Sequence, residues 1–215
     1  MRRIFIIYLI SFLLLFLNHS LFSNPLTKEE IVRHLLIKKS KITTFVADIT
    51  QEKEISLLKE KVISKGKIFY KSPSNILVKL GKPESLIILL KKDKLLLYYP
   101  LEKVAEKYNL KNRIKTENLL FPFSQDYKNA LSISHESTNR YLILIISPSK
   151  ASSEIKEVKL WIEPKNWMIK KMKIIEKNGD TSLIKYSNMV INEPLSDSIF
   201  SLKIPDDVEV SSPLE

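Results

Sequence analysis

Few side chains in this sequence are equipped for acid–base, metal or nucleophilic chemistry. There is no cysteine, which excludes thiol nucleophiles, Cys-ligated zinc, iron–sulfur clusters, disulfides and lipid attachment through a thiol. Of three histidines, His19 falls in a segment read below as a removed leader, leaving His34 and His135. His135-Glu136-Ser137-Thr138-Asn139 approaches H-E-x-x-H, but its fifth residue is Asn and the segment has a strand pattern, so two histidines do not share a helix face. Asp206-Asp207 offers carboxylates of the kind a glycosidase pairs, yet spacing along a chain does not give separation in space. Glycines stand only at 66, 81 and 179, so there is no G-x-S-x-G elbow, P-loop or dinucleotide fingerprint. The expectation is a protein that is not an enzyme, with no catalytic residues, no cofactor and no metal.

What remains is recognition by apolar surface. The chain has 215 residues, 44% of them hydrophobic, enough for one domain with a real core. Met1-Arg2-Arg3 precedes an apolar run from Ile4 to Leu17, too short for a membrane span, which needs about 20 residues. Ser23 follows at a small-residue cut point, so residues 1–23 read as a cleaved signal peptide and 24–215 as the mature domain, placed in a periplasm that requires no disulfide. Cleavage leaves 30 Lys and 3 Arg against 24 acids, a net charge of +9. Lysine is a flexible point charge and specific base or phosphate readout favours Arg forks, so nucleic acid is not an expected partner. The charge reads as a solvated Lys-rich surface, or as weak affinity for anionic membrane faces.

From Leu26 to Lys41 the apolar residues Ile31, Val32, Leu35 and Leu36 recur at helical spacing behind Thr27, Glu29 and Glu30, which supply an N-cap and an acidic first turn. The period then changes to two. Phe45, Ala47, Ile49 and Gln51 alternate, as do Val158, Leu160 and Ile162. Turn signals such as Ser72-Pro73-Ser74-Asn75, Lys92-Asp93-Lys94 and Asn178-Gly179-Asp180 separate about eleven strands. A sheet of that size curls or closes, and short connections without helices favour antiparallel up-and-down pairing. Lys111–Lys128 reads as a helical insertion capped by Thr116 and halted at Pro122. Leu86–Leu90, Leu95–Tyr99 and Leu142–Ile146 are apolar on both faces, so each needs something on both sides: covering helices, a second subunit, or a cavity for an apolar ligand.

The order of these features resembles a known family. An export signal, a first helix, Phe45-x-Ala47-x-x-x-Gln51, a strand opening at Gly66, a turn at Pro73 and a final Phe200-x-Leu202-x-Ile204-Pro205-x-x-Val208-Glu209-Val210 are similar in order and spacing to the LolA family of periplasmic carriers of outer-membrane lipoproteins. The resemblance implies a mainly β fold with α, an incompletely closed antiparallel β-barrel (a half-barrel) with a helical lid. It implies a monomer whose cavity takes the acyl chains of lipoproteins, loaded by an inner-membrane lipoprotein-releasing transporter complex and unloaded to an outer-membrane receptor.

On that resemblance, cavity and lid candidates are Ile31 and Leu35 of the first helix, Leu119, Leu120 and Phe121 of the insertion, and Phe69, Leu77, Leu89, Leu97 and Ile145 of the strands. A register error of one would move any strand residue to the other face. Two departures stand out. The family commonly carries Arg before the Pro of the turn after the Gly66 strand, where it latches the lid; here the position is Ser72, with one donor and a short reach. Lys91-Lys92-Asp93-Lys94 stands where the family often has an Asp-Gly hairpin. The leading expectation is a lipoprotein chaperone. A carrier or sensor of another lipid or glycolipid in the envelope keeps the same cavity, and an interaction module would instead have a filled core.

Overall fold

The structure, a computed structural model, describes residues 26–57, 60–81, 84–110, 132–138, 140–147 and 154–213. The expected leader and the expected helical insertion, with Leu119, Leu120 and Phe121, lie outside these residues.

Helix α1 spans Lys28–Ser40. Its start is fixed by a reciprocal cap: the Glu30 backbone N–H donates to the Thr27 hydroxyl at 3.2 Å, and the Thr27 backbone N–H donates to the Glu30 carboxylate at 2.8 Å. That backbone bond is the main reason the Glu30 carboxyl is held below its ordinary pKa. Ile31 and Leu35, one turn apart, are the buried face of the helix.

Among the described residues twelve strands follow: β1 (Thr44–Ile55), β2 (Glu60–Lys71), β3 (Asn75–Leu80), β4 (Leu86–Lys91), β5 (Lys94–Tyr99), β6 (Val104–Asn109), β7 (Ser132–Ser137), β8 (Leu142–Ser147), β9 (Ile155–Glu163), β10 (Met168–Glu176), β11 (Thr181–Ile191) and β12 (Glu209–Ser211). They form one sheet in the order β12-β6-β5-β4-β3-β2-β1-β11-β10-β9-β8-β7. Every neighbouring pair is antiparallel except β12, which runs parallel to β6. Among the described residues no pairing joins β7 to the other edge, so the barrel is incomplete, as expected. The strand number exceeds the expected eleven or so by the short C-terminal β12.

β2 begins at Glu60, six residues before the strand opening expected at Gly66. Its first half carries no apolar alternation, because that part of the β1–β2 hairpin extends into solvent with Val62 and Ile63 exposed. Gly66 lies where β2 is gripped between β1 and β3, paired with Ile49 and Leu80. A Cβ there would stand 1.9 Å from the Lys79 carbonyl oxygen, so only glycine allows this approach. At the β10–β11 turn Gly179 takes φ 92°, the left-handed conformation that glycine adopts without strain.

The register assigns every strand residue to a face. Ile49 opposes Gly66 and Tyr186, and Ile68 opposes Val78, which opposes Ile88, which opposes Leu97. This row is the inner face of the curl. Its core draws on both halves of the sheet, from Phe45, Ala47 and Ile76 to Leu144, Leu160 and Met172, and includes Ile31 and Leu35 of α1. The helix lies toward β7 and the β9–β10 turn, where His34 stacks on Trp167 with ring centroids 4.2 Å apart.

The next row, Phe69, Leu77, Leu89 and Leu96, faces outward. It is covered by the segment after β11, whose Leu195, Ile199, Phe200, Leu202, Ile204 and Val208 form a second apolar cluster with it. Ser196 caps a single 3-10 turn over Asp197–Phe200, which drives Phe200 to 2% exposure. The rest of the described outer face is largely polar, with Asp48 paired to Lys67 at 3.2 Å and Glu52 bound to both Lys61 and Lys185.

Candidate functional site

The inner face is filled at the α1 end and open farther along. Between β5 and β10 lies a cavity of about 340 Å³. One wall comes from β2–β5, with Ile68, Ile76, Val78, Leu80, Ile88, Leu90, Leu95 and Leu97; β1, β10 and β11 close the other side with Ile49, Gln51, Met172, Ile184 and Tyr186. Among the described lining residues no side chain is charged, and only Gln51 and Tyr186 carry polar groups. The space lies near the lower end of the roughly 300–1,000 Å³ typical of small-molecule sites. Such a wall offers dispersion and exclusion of water rather than bond-making groups.

The sequence-derived candidates divide by face. Leu97 lines the cavity. Ile31 and Leu35 belong to the packed inner cluster beside it, not to its lining. Phe69, Leu77 and Leu89 stand on the outer face under the C-terminal segment, because each is one residue out of phase with Ile68, Val78 and Ile88. Ile145 is half-buried on the outer face of β8, opposite Lys159, while Leu144 and Ile146 are buried on the inner face. Leu89 and Leu97 could not both have lined one face, since Leu89 opposes Leu96.

At the expected latch position, the Ser72 backbone N–H donates to the Thr43 carbonyl at 2.8 Å, tying the end of β2 to the start of β1. The neighbouring Lys71 makes the longer-range contact. Its Nζ donates to the Leu195 carbonyl at 2.8 Å and meets the Asp197 carboxylate at 2.8 Å, fastening the outer cover to β2. Lys71 is also why the Asp197 carboxyl is held below its ordinary pKa.

Two of the groups considered for catalysis have recorded contacts. His34 packs on Trp167, and Asp207 pairs with Lys103 at 2.7 Å in an exposed ion pair. Among the described residues no group of three or more His, Asp or Glu could hold a metal ion.

The missed lining residues were within reach of the sequence. β1 alternates cleanly, with Phe45, Ala47 and Ile49 inward against Asp48 and Glu52 outward. Carrying that phase across successive hairpins selects Ile68, Val78 and Ile88, whereas apolarity alone selects every residue of β4.

A family model described as outer membrane lipoprotein carrier protein LolA matches residues 40–203. No curated protein matches the sequence. Similar solved structures include an uncharacterized conserved protein from Thermus thermophilus, 11% identical with a TM-score of 0.56, covering 84% of this chain and 98% of that one. A DUF1329 family protein from Desulfovibrio piger is 11% identical at TM-score 0.50, over 80% of this chain and 94% of its own. The Pseudomonas aeruginosa MucA/MucB complex matches at 7% identity and TM-score 0.51, over 80% of this chain and 60% of that one. At these identities the structures share a fold. The family match spans most of the sequence and both ends of the sheet's central strands, and this chain belongs to the LolA family.

Proposed function

We propose that this protein is a periplasmic carrier that holds the acyl chains of lipoproteins in the inner-face cavity and moves them from the inner to the outer membrane. The observation that carries this reading is the uncharged cavity of about 340 Å³ in a chain of the lipoprotein-carrier family. Removing a methylene from water is worth roughly 0.8 kcal/mol, so one chain of about fifteen methylenes represents on the order of 10 kcal/mol. A lipid anchor crosses an aqueous gap only inside a dry enclosure of this kind. No covalent step is needed: loading and release are differences in where the chain is buried.

The reading includes export by cleavage after Ser23. Its partners are acylated lipoproteins, an inner-membrane lipoprotein-releasing transporter complex and an outer-membrane receptor. The test is release from spheroplasts that carry a labelled acylated lipoprotein, with an unacylated form as control. A soluble one-to-one complex that requires the acyl chains supports the carrier. Failure to release cargo, from membranes that do respond to an authentic carrier, would sink the lipoprotein assignment. The uncharged wall would accept other neutral acyl lipids, so lipid binding by the purified protein would then identify a carrier of a different cargo.

A further inference from the structure

The described cavity wall is apolar except at two places, and neither is satisfied by another described residue. Tyr186 and Gln51 both line the space, on adjacent strands. Tyr186 opposes Ile49 and Gln51 opposes Ile184, so the two are diagonal neighbours on the same face, about 7–8 Å apart at the backbone. Phe45 meets the Tyr186 ring edge-on, with centroids 6.2 Å apart. Neither the Tyr186 hydroxyl nor the Gln51 amide makes a hydrogen bond among the described residues. Two polar groups in an apolar wall without protein partners are left to water in the empty cavity, and a ligand that displaces that water must supply an acceptor in its place.

We propose that Tyr186 and Gln51 form a carbonyl-recognition point, so that the cavity takes an esterified or amidated acyl chain in preference to a free fatty-acid anion. This rests on the acyl-carrier reading and adds to it the chemistry of the ligand's head. The phenol and the primary amide both donate, which suits the carbonyl oxygen of an ester or amide. Tyr186 is partly accessible where it lines the cavity, yet its surroundings are apolar enough to push its pKa well above the ordinary value, so it stays a protonated donor. A carboxylate in the same place would lose its hydration and find no cation among the described lining residues. Lys53, the next inward-facing residue of β1 after Gln51, is exposed to solvent.

The experiment displaces a carbonyl-free alkyl-pyrene probe from the purified protein with monolauroylglycerol or with laurate at pH 8. It is repeated for Tyr186→Phe and for Gln51→Met, with far-UV circular dichroism to verify folding. The proposal expects the glycerol ester to bind at least tenfold more tightly than laurate. Each substitution should weaken the ester about five- to tenfold relative to its effect on the pyrene probe, the span of one lost hydrogen bond. Equal displacement by laurate, or ester affinity unchanged in both folded variants, overturns the carbonyl point and leaves the carrier reading standing, because the probe still binds. A folded protein that binds no probe overturns both.

Discussion

Leu77 and Val78 are sequence neighbours on β3 with opposite fates, and this makes a crossed test of the cavity. Leu77 is 3% exposed beneath the C-terminal segment, in a packed cluster with Leu89 and Phe200. Val78 points into about 340 Å³ of open space. Val78→Phe adds four carbons that extend into the open space beside a half-buried side chain, and displaces about four ligand methylenes. At roughly 0.8 kcal/mol each this is about 3 kcal/mol, a loss of acyl-probe affinity on the order of a hundredfold. The melting curve should stay close to that of the native protein. Leu77→Phe enlarges a side chain that is already enclosed, so overpacking should lower stability by about 1–3 kcal/mol while leaving probe affinity within twofold. The assays are titration with a fluorescent acyl probe and urea unfolding, run on both variants. Undiminished affinity in folded Val78→Phe would refute the cavity as the binding site, and the opposite pattern in the two variants would refute the register of β3.

Gly66→Ala should destabilise by at least 1–3 kcal/mol, the usual range for overpacking, or prevent folding, because its Cβ would stand 1.9 Å from the Lys79 carbonyl oxygen; an unfolding free energy in urea within about 0.5 kcal/mol of the native value would contradict the close approach. Lys71→Met removes the bond to the Leu195 carbonyl and the pair with Asp197, so residues 195–200 should be cleaved faster by protease, while the far strands β8–β10 keep their hydrogen-exchange protection. The Glu52 carboxyl is held below its ordinary 4.5 first by the bond to Lys185 and then by that to Lys61. Its pKa is lowered on folding, so its contribution is fully present above pH 4.5 and is lost as the pH falls below that value through the folded pKa. Glu52→Gln should therefore be less sensitive to acid than the native protein over that range, and an unchanged acid limb in pH-dependent unfolding would show that the Glu52 cluster does not stabilise the fold.

How much of this was legible depended on whether a strand carried its own phase. α1 was legible because Thr27, Glu30, Ile31 and Leu35 specify cap, start and buried face within nine residues. The same holds for β1 and β9, where charged residues alternate with apolar ones and only one assignment of faces is tolerable. The shape of the sheet followed from strand number and short turns. The candidate site did not follow, because β4 reads Leu86-Ile87-Ile88-Leu89-Leu90 and both phases are equally apolar. The reason for its second apolar face lies about a hundred residues later. Leu195, Ile199, Phe200 and Val208 are too irregularly spaced for a helix or strand pattern, and they cover the outer face as a segment of coil with one 3-10 turn. Once that cover is assigned, Ile87 and Leu89 are accounted for as packed core, Leu90 is packed into the inner cluster, and the apolarity of Ile88 needs a separate explanation. On the inner face it is met by open space. Apolar composition therefore does not distinguish the residues that hold this fold together from those available to a ligand; what does is which face the chain itself goes on to cover.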